Sequence, residues 1–201
     1  NVKAGKFLFK KDMTSFDMVR RLRLNVPVNV AFNNQETLGK LVQRLSTQLE
    51  PDSLALEIAF TNTPFLQENG FTEETILALF IPNTYEFYWN TPANKIANKL
   101  AKEYNKFWNE DRLAKAKAKN LTPIQVYTLA SIVHKETAKV DERPDVAGVY
   151  LNRLTQDMPL QADPTVIYAI KLKSGDFDQE IKRVFYNDLR IKSPYNTYIN
   201  K

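Results

Sequence analysis

The chain has no cysteine and a single histidine, His134, in 201 residues. No disulfide framework can hold the fold, which suits a periplasmic and a cytosolic protein equally. With neither a thiol nor a second histidine, no metal cluster can be assembled, and His134 reads as a surface or core histidine rather than a ligand. Glycine is scarce, at five residues, and forms no glycine-rich phosphate loop. That argues against a pyridoxal-phosphate lyase, whose chemistry wants a phosphate cup beside its Schiff-base lysine, and no cofactor is expected. Long apolar runs are missing as well. Nothing approaches the ~18 residues of a membrane span and no signal peptide precedes Asn1, so the chain as given reads as soluble.

What is present is ordinary globular composition, 43% hydrophobic and 25% charged, enough for one large domain or two small ones. Basic side chains exceed acidic ones by 28 to 23, a net charge of +5, which favours anionic partners such as a cell-wall polymer or lipid headgroups. The most basic stretch, RLAKAKAKN at residues 112–120, spreads its lysines around a helix axis with no interleaved aromatics. It reads as a solvated face, and no nucleic acid is expected as a partner.

The stretch 122–163 organises the rest. Thr122, Pro123 and Gln125 have the form of a helix start: a capping hydroxyl, proline in the first turn and a reciprocal polar side chain. At ~100° per residue, Val126, Leu129, Ala130, Ile132, Val133 and Thr137 share one core-facing arc, and Glu136 falls inside it between Ile132 and Leu129. Lys135, Lys139 and His134 point elsewhere. Two readings stand: a glutamate at the edge of a packed face that reaches water or pairs with a lysine, or a desolvated acid kept partly protonated, fit to give and retake a proton.

Earlier in the chain, residues 6–10 (KFLFK) read as a strand, and Thr14 with Asp17 opens a helix bearing Phe16, Val19 and Leu22 on one side. Residues 26–32 alternate like a half-buried strand, and Leu38, Leu41, Val42 and Leu45 carry the helical i, i+3, i+4, i+7 spacing. Residues 51–70 read as a connector with a short helix over 54–60 and a turn at Asn69 and Gly70. Residues 72–80 suggest a short helix packing Ile76 and Leu79. The aromatic run 81–90 reads as core or as a sugar-stacking wall, with Tyr85 a candidate contact. Thr91 and Pro92 open one long helix that runs on through the basic tail.

Downstream of Glu136, a turn at 141–144 leads to a helix with Ala147, Tyr150, Leu151 and Leu154 inward. Asp163 is placed to cap a helix starting at Pro164, or to line a cleft with Gln161. Tyr195, Asn196 and Tyr198 could stack on sugar rings and bond their edges.

Four blocks, ASIVHKET (130–137), VAGVYLNRL (146–154), MPLQADPTVIYA (158–169) and SPYNTY (193–198), resemble the MltG/YceG family of endolytic murein transglycosylases in order and spacing. Weaker matches reach back to PNTYEF (82–87) and AGKFLF (4–9), so the resemblance covers most of the chain. It implies an α+β fold, with a small LysM-like module over residues 1–78 and a mostly helical catalytic domain over 79–201. It also implies that Glu136, the acid before threonine in the family's E-K-E-T signature, is the catalytic residue. His134 replaces the first glutamate of that signature, a departure expected to alter a supporting contact and leave the proton donor in place. Glu142, Arg143, Asn152 and Arg153 stand at family positions, as a salt-bridge brace or as substrate contacts.

The resemblance implies peptidoglycan glycan strands as substrate and envelope peptidoglycan synthases as partners. It implies a plasma-membrane location, with the catalytic part on the periplasmic face. The chain begins without methionine and stops at YINK, where relatives continue into a Gly-Leu-Pro-Pro segment. A fragment is therefore expected, its single-pass N-terminal anchor lying outside the sequence. The competing function class is a wall-binding or scaffold protein whose cleft no longer turns over.

Overall fold

The computed structural model describes residues 4–200 and divides into two compact units, Asn1–Asn109 and Glu110–Lys201. The expected α+β character holds, with helices dominating and one antiparallel pair of strands among the described residues. No helix among them is long and apolar enough to cross a membrane.

In the first unit, helix α1 (Ser15–Arg21) starts on Thr14, whose hydroxyl accepts from the Asp17 amide, but it buries no residue. Strand β1 (Pro27–Phe32) pairs with β2 (Asn83–Tyr88), in a register that sets Val30 opposite Tyr85. The anticipated strand at residues 6–10 is absent. That segment touches strand-like backbone only where the Val26 amide donates to the Lys6 carbonyl, one bond where a ladder needs a series. Gln48 covers part of β1: its amide receives the Ala31 N–H and donates to the Ala31 carbonyl, occupying backbone groups that a further strand would use.

Helix α2 (Leu38–Ser46) follows a Thr37 cap and buries Leu41, Val42 and Leu45, as its spacing implied. Residues 51–70 are not a connector. They form α3 (Ser53–Thr61) and α4 (Thr63–Asn69), which bury Leu56, Ala59, Phe60, Phe65 and Leu66. Each helix is capped: Asp52 accepts from Ala55, and Asn62 both accepts from the Phe65 amide and donates to the Ala59 carbonyl. Gly70 ends α4 in the left-handed region, at φ 73°, which glycine adopts without cost. A short 3-10 helix (Ile76–Leu79) contributes Ile76 and Leu79, both fully buried.

Helix α5 (Ala93–Phe107) stops at Trp108, and the basic tail is a separate helix, α6 (Glu110–Ala118). One long helix was expected; the break coincides with the boundary between the units. Residues 79–109, read as part of the second domain, thus lie in the first compact unit.

The second unit adds α7 (Pro123–Glu136), α8 (Arg143–Thr155), α9 (Asp163–Ser174) and a 3-10 turn (Asp188–Arg190). Its core joins Leu129, Ile132 and Val133 of α7 to Tyr150 of α8 and Ala162 before α9. Leu45 is fully buried in the first unit. Leu45→Ala is therefore expected to cost about 2–5 kcal/mol by denaturant unfolding; an unchanged midpoint would contradict this account of the core.

Candidate active site

Helix α7 begins on the full capping box foreseen at Thr122. The Thr122 hydroxyl accepts from the Gln125 amide, and the Gln125 side chain accepts from the Thr122 amide. Fourteen residues later the helix ends on Glu136, and Thr137 leaves it in extended conformation. Glu136 does not sit among apolar side chains. Leu129 and Ile132 are buried, but Glu136 lies at the end of the helix and is exposed. The enclosure implied by the helical projection is missing in this state.

Instead, Glu136 is held from one side by a phenol: the Tyr150 hydroxyl donates to Oε2 at 3.0 Å. The Tyr150 ring is only 6% exposed, anchored in the core of the second unit. Burial, then the charge and bond of Glu136, push its ionisation well above the ordinary tyrosine range, so the hydroxyl stays a donor at neutral pH. Tyr150 was read as packing alone. Its signal was a phenol in an aliphatic stripe, since a buried tyrosine hydroxyl needs a partner.

A second carboxylate is gripped similarly. Tyr198 donates to Asp163 Oδ1 at 2.6 Å, and that bond, ahead of burial and the Asp163 and Glu136 charges, pushes Tyr198 up to about 12 against the opposing Arg153 charge. Asp163 is no N-cap: α9 starts without a side-chain cap, and the Thr165 amide is taken by the Ala162 carbonyl. Gln161 is exposed and strained, at φ 52°. Its Oε1 accepts from Arg153 Nη1 at 3.1 Å, the nitrogen that also donates to the Pro159 and Leu160 carbonyls. Arg153 thus braces the turn that presents Gln161 and Asp163.

Thr197 fastens the C-terminal segment to this turn. Its carbonyl accepts from the Gln161 amide and its hydroxyl from the Ala162 amide, and it meets the Thr165 hydroxyl at 2.9 Å. Neither threonine was singled out in the sequence. Tyr195 is 37% exposed and packs edge-on against Tyr168.

The other candidates are placed differently. Asn196 is fully buried, its amide spent on the Leu189 and Ile191 carbonyls and its Oδ1 on the Tyr198 amide, so it holds the turn and faces no cleft. Tyr85 belongs to the first unit, buried, with its hydroxyl given to the Ile81 carbonyl and its ring stacked on Phe32. Burial and then the Glu103 charge push it up to about 12; it is core, not a sugar contact. Glu142 does not brace Arg143. It accepts from Lys139 at 2.7 Å and Thr137 at 2.9 Å, bonds that in this order hold its carboxyl below the usual range. Asn152 is exposed, with no side-chain hydrogen bond among the described residues. His134 is exposed, and desolvation, then the Arg143 and Lys135 charges, hold it below its usual value. Among the described residues no group of metal-ligating side chains assembles.

The model of the YceG-like family matches residues 1–201. This chain belongs to the YceG-like family. An endolytic murein transglycosylase of Bacillus subtilis is 36% identical over 203 residues, covering 98% of this chain and 51% of that protein. One of Streptococcus pneumoniae D39 is 26% identical, covering all of this chain and 41% of the relative. The chain therefore spans about half the length of these YceG-like relatives or less. A crystal structure of a yceG-like protein from Listeria monocytogenes matches with a TM-score of 0.72 at 25% identity, over all of this chain and 69% of that one.

A phenol whose ionisation is raised on folding stabilises the protein below pH 10 and loses that contribution as pH climbs through its folded value. Tyr198 is thus expected to titrate near pH 12 instead of 10. Ultraviolet difference titration against Tyr198→Phe checks this, and a Tyr198 signal at pH 10 would contradict the Asp163 bond.

Proposed function

We propose that the second unit is a lytic transglycosylase acting on the glycan strands of peptidoglycan, with Glu136 as its single acid and base. The observation that carries the reading is the carboxyl at the end of α7: Tyr150 engages Oε2 and leaves Oε1 open to a ligand. The naming of the relatives as endolytic murein transglycosylases supports the substrate class.

In this reading Glu136 protonates the glycosidic oxygen between N-acetylmuramic acid and N-acetylglucosamine, and the bond from that oxygen to the anomeric carbon breaks. The muramic acid 6-hydroxyl then bonds to the anomeric carbon and returns its proton to Glu136, leaving a 1,6-anhydro end. Ordinary glycosidases need a second carboxylate as nucleophile or base. Here the nucleophile is already part of the substrate, so its effective concentration is high. A bound strand covers Glu136 and supplies the enclosure that the free structure lacks.

Gln161 and Asp163 from the braced turn, with Tyr195 and Tyr198 from the segment tied to it, are the sugar contacts of this proposal. Aromatic faces stack on the rings while amide and carboxylate meet hydroxyl and N-acetyl groups. The first unit serves as a LysM-like positioning module. The work takes place on the outer face of the plasma membrane, in company with peptidoglycan synthases.

A second reading, a wall-binding domain without turnover, draws on the same exposure of Glu136. Digestion of purified glycan strands followed by mass spectrometry separates the two. Wild type is expected to release anhydro-ended products, one water lighter than hydrolysis products, and Glu136→Gln to release none while its circular dichroism stays unchanged. Anhydro product formed undiminished by the variant would refute the assignment.

A further inference from the structure

Arg143 opens α8 half-buried, and its Nε is closed off from water with no hydrogen-bond acceptor among the described residues. The acid beside it in sequence is committed elsewhere, since Glu142 turns to Thr137 and Lys139. No described carboxylate pairs with the guanidinium. His134 lies within electrostatic reach of both Arg143 and Lys135. His134 in the last turn of α7 and Arg143 in the first turn of α8 therefore lie within reach of each other, with no acid paired to Arg143. A partly desolvated guanidinium without a partner is unfavourable, and the deficit is met when a ligand brings the negative charge.

We propose that Arg143 and His134 form a carboxylate-binding site where α7 gives way to α8, which takes an acidic group carried by the glycan strand. The proposal rests on the substrate class argued above and adds to it a requirement for charge. On such a strand the carboxylate has two sources, the lactyl group of muramic acid and the stem peptide attached there. The guanidinium supplies charged donors and the imidazole a ring N–H, which together suit a planar anion better than a neutral amide.

The test measures binding, so it does not depend on turnover. Calorimetric titrations of the chain in the Glu136→Gln background use three probes of equal sugar length: a chitin oligosaccharide without carboxylates, a peptide-free glycan strand and a peptide-bearing one. At least one carboxylate-bearing probe is expected to bind tenfold or more tighter than the chitin oligosaccharide. A gain with the peptide-free strand points to the lactyl group, and a gain confined to the peptide-bearing strand points to the stem.

Arg143→Gln removes the cation, and His134→Glu fills the site from within; each is expected to abolish the gain. Equal affinity for all three probes, or a gain that survives both substitutions, would overturn the site. A wild-type protein that makes anhydro ends without any carboxylate preference overturns this inference alone. One that prefers carboxylates yet makes no anhydro ends overturns the catalytic reading and leaves the site standing.

Discussion

One hydrogen bond, from the buried phenol of Tyr150 to the exposed carboxyl of Glu136, decides what the second unit can present to a ligand. A glutamate in the last turn of a helix faces the negative end of the helix dipole and has several rotamers open to it. Tyr150 counters both effects. Its ring is fixed by Leu129, Ile132 and Val133, so its hydroxyl is a donor at a set position. The acid is thereby tied to the same core that holds α7 against α8, and disturbance of that packing is transmitted to the carboxyl.

The remaining polar groups of the site are positioned by the same device, a side chain spent on holding another. Arg153 bonds three acceptors in the turn before α9, and Thr197 binds the far segment to that turn through both backbone and hydroxyl. Gln161 sits at positive φ, a conformation a non-glycine residue keeps only where its surroundings impose it. Asp163 and Tyr198 meet because those restraints bring residues 161–163 alongside 197–198.

Local chemistry was the legible part of the sequence. The capping box of α7, the Thr14 cap of α1, the α2 stripe, the alternating strand and the glycine at the end of α4 all follow from short-range rules, and the structure realises each of them. Glu136, Gln161, Asp163 and Tyr198 were candidate site residues in the sequence, and all four lie in the second unit. Missed features depend on where elements stop and on who is nearest in space. A helical wheel placed Glu136 among apolar neighbours because a wheel has no ends, yet α7 finishes there. Residues 51–70 read as a connector with one short helix, whereas Asp52 and Asn62 cap two consecutive helices there. Asn196 carries the chemistry of a sugar ligand and spends it on the turn. Glu142 and Arg143, read at family positions as a salt-bridge brace or substrate contacts, do not pair: Lys139 and Thr137 reach the acid instead.

The dependence of Glu136 on Tyr150 is tested most directly by a double-mutant cycle on folding free energy, using Tyr150→Phe, Glu136→Ala and the pair, followed by denaturant unfolding. A direct hydrogen bond to a charged group gives a coupling of about 1–3 kcal/mol between the two sites. Strict additivity of the two single changes would mean that the phenol and the carboxyl do not act on each other, and the account of how this site holds its acid would fail.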